Sequence, residues 1–163
     1  MNDKYFNYDL NSLGFTIILA GMVGGMIEIG WISLYSSLSS VSAIDVARQI
    51  SVTILPTTAE SYYAPMLGLF IHLVLSLILA IFFSAIILKP AVRRYGNPGI
   101  MLSSLVTLGI VWAINFIIIL PILNPSFIVL MPYIVTFISK LLFGAAMGWV
   151  LINNSPHTQI ITE

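Results

Sequence analysis

Residues 65–88 read PMLGLFIHLVLSLILAIFFSAIIL, an unbroken run from Pro65 to Leu88 with no formal charge and with His72, Ser76 and Ser84 as its polar side chains. Coiled as an α-helix, such a run spans about 36 Å, more than the roughly 30 Å hydrocarbon core of a bilayer. Three further segments meet the same requirement: Gly14 to Tyr35 ahead of it, then Gly99 to Pro121 and Pro132 to Ile152. Pro65, Pro121 and Pro132 lie at or near segment ends, where a missing N–H costs least, and Gly99 follows the turn signal Asn97-Pro98. The expected fold is all-α: a polytopic membrane protein, one domain over residues 1–163, with four transmembrane helices and a short outer interfacial helix.

Composition points the same way. Of 163 residues, 59% are hydrophobic and 7% charged, against about 25% charged in soluble domains. Six basic and six acidic residues balance, so nothing in the charge argues for nucleic acid as a partner. With no cysteine, disulfides, thiolate metal sites, iron–sulfur clusters and thiol nucleophiles are excluded within the chain. Val41-Ser42-Ala43 has the small residues of a signal-peptidase site. The run before it is longer than a signal h-region and contains Glu28, and the leader carries Asp3 and Asp9 against a single Lys4, so Gly14 to Leu34 reads as a retained helix.

Orientation follows from the connection Lys89-Pro-Ala-Val-Arg93-Arg94, which holds three of the six basic residues and belongs in the cytoplasm by the positive-inside rule. Both termini are then cytoplasmic, while Ser36 to Ala64 and Ile122 to Met131 face outward, with Tyr62, Tyr63 and Tyr133 at the outer boundary. In the longer outer connection, Ser42-Ala43-Ile44-Asp45 matches a capping box and Pro56 gives a stop, predicting a helix over 43–55. Its Ile44, Ala47, Ser51 and Leu55 share one side with Arg48 beside them, the pattern of a helix resting on the outer interface. The functional alternative is a lid over the bundle or a docking surface.

Ionisable groups inside spans are rare, since even insertion scales charge them about 2.5 to 3.5 kcal/mol at mid-helix. This chain has Glu28, His72 and Lys140, with the amide Asn115. Counting about 1.5 Å per residue from each span's midpoint puts all four roughly 3 to 8 Å toward the outer surface. One polar group per helix in one layer suggests an internal cluster, in which Glu28 and Lys140 neutralise each other. Trp31 and Trp112 flank it. Gly21-x-x-x-Gly25 and Gly144-x-x-x-Gly148 permit close backbone approach and are expected to bring the first and fourth helices together beneath the pair. The layer reads either as hydrogen bonds that fix the packing, each worth about 0.6 kcal/mol, or as a proton, ion or ligand site.

Glu28 with His72 supplies two metal ligands and Asn115 a poor third, so no metal site or cofactor is expected in the chain alone. Haem, copper or a quinone would enter only if a partner completed the site; His157, the second histidine, belongs to the tail. There is no nucleophile elbow, P-loop or dinucleotide fingerprint, which argues against an enzyme acting by itself. The segments Glu28-Ile-Gly-Trp31, Ile71-His72, Trp112-Ala-Ile-Asn115-Phe116, Leu120-Pro121-Ile-Leu123-Asn124-Pro125, Met131-Pro132-Tyr133 and Ser139-Lys140-Leu-Leu-Phe-Gly144 resemble uncharacterised small four-helix integral membrane proteins of bacteria. That resemblance covers most of Gly14 to Ile152; it implies a bacterial inner-membrane location and no role for any residue. Three functions compete. One is an accessory or assembly subunit of a larger membrane complex, a respiratory or other oxidoreductase among them. The others are a small oligomeric transporter or proton-coupled channel, and a lipid- or quinone-binding protein using His72, Asn115, Trp31 and Trp112. The partners expected are the lipid bilayer and other membrane subunits or further copies of the chain.

Overall fold

The computed structural model describes residues 10–154; Asp3, Lys4 and Asp9 of the leader and His157 of the tail lie outside them. Helix α1 covers Leu10–Ser37 and α2 covers Ala43–Ile54, followed by a 3₁₀ turn over Pro56–Thr58. Helix α3, Ala64–Phe83, passes through a π-helical turn, Ser84–Leu88, into α4, Lys89–Ala113. A second π-helical turn, Ile114–Ile119, leads to the short helices α5, Leu120–Leu123, and α6, Pro125–Leu130, and α7 closes the chain over Tyr133–Asn154. No strand occurs among the described residues. Three stretches are long and apolar enough to cross a membrane: Leu13–Ser37, Ala64–Leu123 and Tyr133–Asn154.

The middle stretch departs from the sequence expectation, because residues 89–94 are helical rather than a loop. A proline in a helix lacks the N–H for its i−4 carbonyl and crowds that carbonyl. Pro90 and Pro121 each follow a π-helical turn, where the wider ring of the ladder relieves both problems, so the helix runs past them. What ends it is Gly96, at φ 62° and ψ −146°, a conformation from which a Cβ is excluded. The chain folds back there: the arm before it, 64–95, runs antiparallel to α1, and the arm after it, 97–123, runs antiparallel to α7, as the contacts below require.

Small residues set the neighbours. A Cβ on Gly21 would lie 3.0 Å from the Ala80 Cβ and from the Ser76 carbonyl oxygen, and one on Gly25 would lie 2.7 Å from Ser76 Oγ. On α7, a Cβ at Gly144 would meet the Ser104 carbonyl at 3.0 Å, and one at Gly148 would meet Ser104 Oγ at 2.6 Å. The two glycine motifs therefore do not face each other, as the sequence suggested. Each serves a different partner, α1 on α3 and α7 on α4. The α1–α7 seam uses the next stripe round, where Gly24 receives the ring of Phe143. Half of the most apolar window of α7 is buried, against 28% and 22% for the other two stretches, which makes α7 the hub.

Helix α2 starts as expected, with Ser42 Oγ accepting the Asp45 N–H at 3.3 Å. Its buried face differs. Val46, Ala47 and Ser51 are buried, while Ile44 and Leu55 are 62% and 45% exposed. The cause is Gly68 on α3: the Ala47 carbonyl occupies the space a side chain would fill there, so α2 packs backbone-first on α3 and turns Val46 inward. Two apolar cores result. Phe83, Leu88, Ile100, Met147 and Leu151 belong to the one far from α2, and Val46, Met131 and Val135 form the one beneath it.

Gly30 has open space around it. Gly144→Leu should cost on the order of 1–3 kcal/mol by overpacking and lower the unfolding temperature in detergent, whereas Gly30→Leu should leave it within a degree or two.

Candidate functional site

Between the two cores, where α1, α3 and α7 meet, stands a carboxylate with 7% of its residue exposed, Glu28. A charge so placed needs a counter-charge and hydrogen bonds. Lys140 Nζ donates to its Oε2 at 2.7 Å. Ser139 Oγ lies 3.1 Å from its Oε1 and 2.7 Å from the Thr136 carbonyl, so one hydroxyl proton is shared between two acceptors. From α3, His72 Nε2 sits 3.8 Å from Glu28 Oε2 and 3.4 Å from the Gly25 carbonyl oxygen. That carbonyl only accepts, so the contact calls for the proton on Nε2. The Lys140 ammonium also stands 5.8 Å from the centroid of the Phe143 ring, within reach of a cation–π attraction.

Local sequence explains the placement. Gly24, Glu28 and Trp31 lie at i, i+4 and i+7 on α1, one stripe along the α7 seam. On α7, Ser139 and Lys140 both reach this seam, one turn from Phe143, while Gly144 and Gly148 turn to α4. His72 lies one turn along α3 from Ser76, whose Oγ donates to the His72 carbonyl at 2.8 Å rather than to the ring. That serine is a packing residue against Gly25, and no Ser-His-carboxylate relay is formed.

The structure thus brings Glu28, His72 and Lys140 together, and leaves Asn115 outside. Trp112 Nε1 donates to Thr136 Oγ1 at 3.0 Å, one turn toward α2 from Lys140, and Asn115 lies a further turn on. By helical rise that sets it about 10 Å from the Lys140 level. Counting from span midpoints does not give this placement because α4 and α7 are not centred on each other; Gly109 lies level with Phe137 and Trp112 with Thr136. Trp31 and Trp112 both donate to neighbouring residues of α7, Trp31 Nε1 to the Val135 carbonyl at 3.0 Å. Trp112 further packs among Phe116, Tyr133 and Phe137. Their N–H groups are therefore engaged within the fold.

Ser139 belongs to the cluster although the sequence layer of Glu28, His72, Asn115 and Lys140 does not include it; its adjacency to Lys140 is the available signal. Asn124 was missed as well: its Nδ2 lies 2.9 Å from both Gln49 Oε1 and Thr53 Oγ1, joining α2 to the end of the 97–123 arm. Among the described residues no three His, Cys, Asp or Glu side chains converge as a metal shell would require. A groove of about 570 Å³ beside α1, lined by Met22, Met26, Gly30, Leu34 and Leu142 among others, is apolar and touches none of the three ionisable residues. Compared with known protein families, curated proteins and solved structures, the chain matches none.

Removing one partner of a buried pair leaves the other charge uncompensated, at a cost of about 3–5 kcal/mol. Lys140→Met should lose stability on that scale in detergent unfolding. Asn115→Leu, away from the cluster, should change it by less than about 1 kcal/mol.

Proposed function

We propose that the chain is a four-span membrane protein of the bacterial inner membrane, with both termini in the cytoplasm, that acts as an accessory or assembly component of a larger membrane complex. The arms 64–95 and 97–123 supply two of the spans and α1 and α7 the others. Each arm exceeds the roughly 20 residues needed to cross a bilayer. The observation that carries the accessory reading is the state of Glu28. Both of its oxygens are bonded to α7, so the chain's interior charge serves to fasten helices rather than to meet a substrate. An oxidoreductase complex, with a cofactor held by another subunit, is one class of assembly that fits.

A second reading has one observation in its favour. The side chains of His72 and Lys140 keep 14% and 15% exposure beside Glu28, so three titratable groups adjoin with two of them not fully enclosed. That is the composition of a proton-coupled site, and a small oligomeric transporter would use it.

Tagged protein taken from its own membranes in mild detergent should bring stoichiometric membrane partners with it. Recovery as a homo-oligomer alone, with proton or solute flux in vesicles that Glu28→Gln abolishes, would overturn the accessory reading in favour of transport.

A further inference from the structure

We infer that two copies of this chain pair side by side in the membrane through the 97–123 arm, with the Asn115 amides of the two copies bonded to each other. The pair presupposes the four-span reading and is independent of the accessory role. Asn115 lies in the π-helical turn Ile114–Ile119, and its carbonyl accepts the Leu120 N–H, so its backbone oxygen is satisfied. Its side chain is not. Partly exposed, the amide makes no hydrogen bond to any described residue. Trp112 and Thr136, one turn away, are bonded to each other.

On the four-span reading, neither water nor head groups satisfy that amide. From Phe116 to Leu123 the arm holds no polar side chain, which adds about 12 Å of apolar helix on the outer side of Asn115. The row beside the amide faces outward: Ile110, Ile114, Ile118 and Ile122, spaced by four, are 55%, 44%, 56% and 76% exposed. Isoleucines of a span are at home among lipid tails. An amide is not, because hydrocarbon offers it neither donor nor acceptor. It therefore marks this face as one that another helix covers.

A second copy is the partner whose matching group is fixed in advance. Copies of one chain insert with the same orientation, so in a pair related by a two-fold axis along the membrane normal equal residues lie at equal depth, and Asn115 meets Asn115. The amide is self-complementary: each Nδ2 donates one hydrogen to the Oδ1 of the other copy, giving two reciprocal bonds. The isoleucines pack around these bonds with little rotamer freedom to lose, since a helix holds each in one preferred χ1 well. One amide within such a row sets the register, because a slide of one turn would leave both amides unpaired. The pair forms in the plane of a bilayer. Diluted in detergent the copies separate, and the unfolding of a single chain is then insensitive to Asn115.

The chain has no cysteine, so Ile118→Cys and, on α3, Ile78→Cys each place a single thiol at a position 56% exposed. In membranes of cells that make the protein, copper phenanthroline should cross-link Ile118→Cys to a dimer and leave Ile78→Cys monomeric. Adding Asn115→Leu to Ile118→Cys should lower the dimer yield at least about threefold, with the helical circular dichroism of the purified variant unchanged. A water-soluble charged maleimide should fail to label Asn115→Cys in the same membranes. Labelling there would put the residue in water and overturn the span together with the pair. With that thiol unlabelled, four results would each overturn the pair and leave the span standing: no dimer from Ile118→Cys, a cross-link to a different protein in its place, an equal dimer from Ile78→Cys, or a yield indifferent to Asn115→Leu.

Discussion

A carboxylate does not stay ionised and alone in an apolar interior, and at Glu28 that constraint is met by Lys140, 112 residues further along the chain. Because the ammonium must come within hydrogen-bond distance of one particular oxygen, α1 and α7 are fixed against each other in rotation and in depth. Ser139, one residue before Lys140, takes the other oxygen and removes the remaining freedom. Non-directional packing of Leu, Ile and Val would tolerate a slide of one helical turn; a charge pair in low dielectric does not. The pair therefore specifies the register on which α3 and α4 then build.

Small residues complete that arrangement. Glycines on two adjacent stripes of α1 let α3 and α7 approach on either side, and the same device on α7 admits α4. Glu28 consequently sits at a three-helix junction, where His72 arrives from α3 with its Nε2 near the Gly25 carbonyl. The apolar core of Phe83, Ile100, Met147 and Leu151 closes one end of this junction, and Trp31, Val46, Met131 and Val135 close the other. A polar cluster flanked by apolar cores in this way holds helices together whatever else it does, even with His72 and Lys140 keeping 14% and 15% exposure.

Much of this was legible in the sequence. Uncharged runs such as 65–88 leave helix as the sole backbone form that satisfies its own hydrogen bonds without water, and the scarcity of charge made Glu28 and Lys140 natural neighbours. The direction in which each glycine motif faces was not legible, because Gly21-x-x-x-Gly25 states that some helix comes close and not which one. The helical continuation through Pro90 depended on a π-helical turn that no local residue pattern announced. Asn115 was placed in the cluster by assuming that all spans are centred alike, an assumption that the reversal at Gly96 and the offset of α4 on α7 defeat. The buried face of α2 was misjudged for a related reason: its decisive partner, Gly68, is a missing side chain, which leaves no hydrophobic signal.

The most direct test of the fastening role is a double-mutant cycle in detergent on Glu28→Met and Lys140→Met. If each charge is there chiefly to compensate the other, with Ser139 and His72 as lesser partners of Glu28, the double variant recovers to within about 1 kcal/mol of the parent, because an apolar pair of similar volume replaces them without an orphaned charge. Losses that simply add would mean that the two charges are not coupled, and would contradict a structure built on this pair.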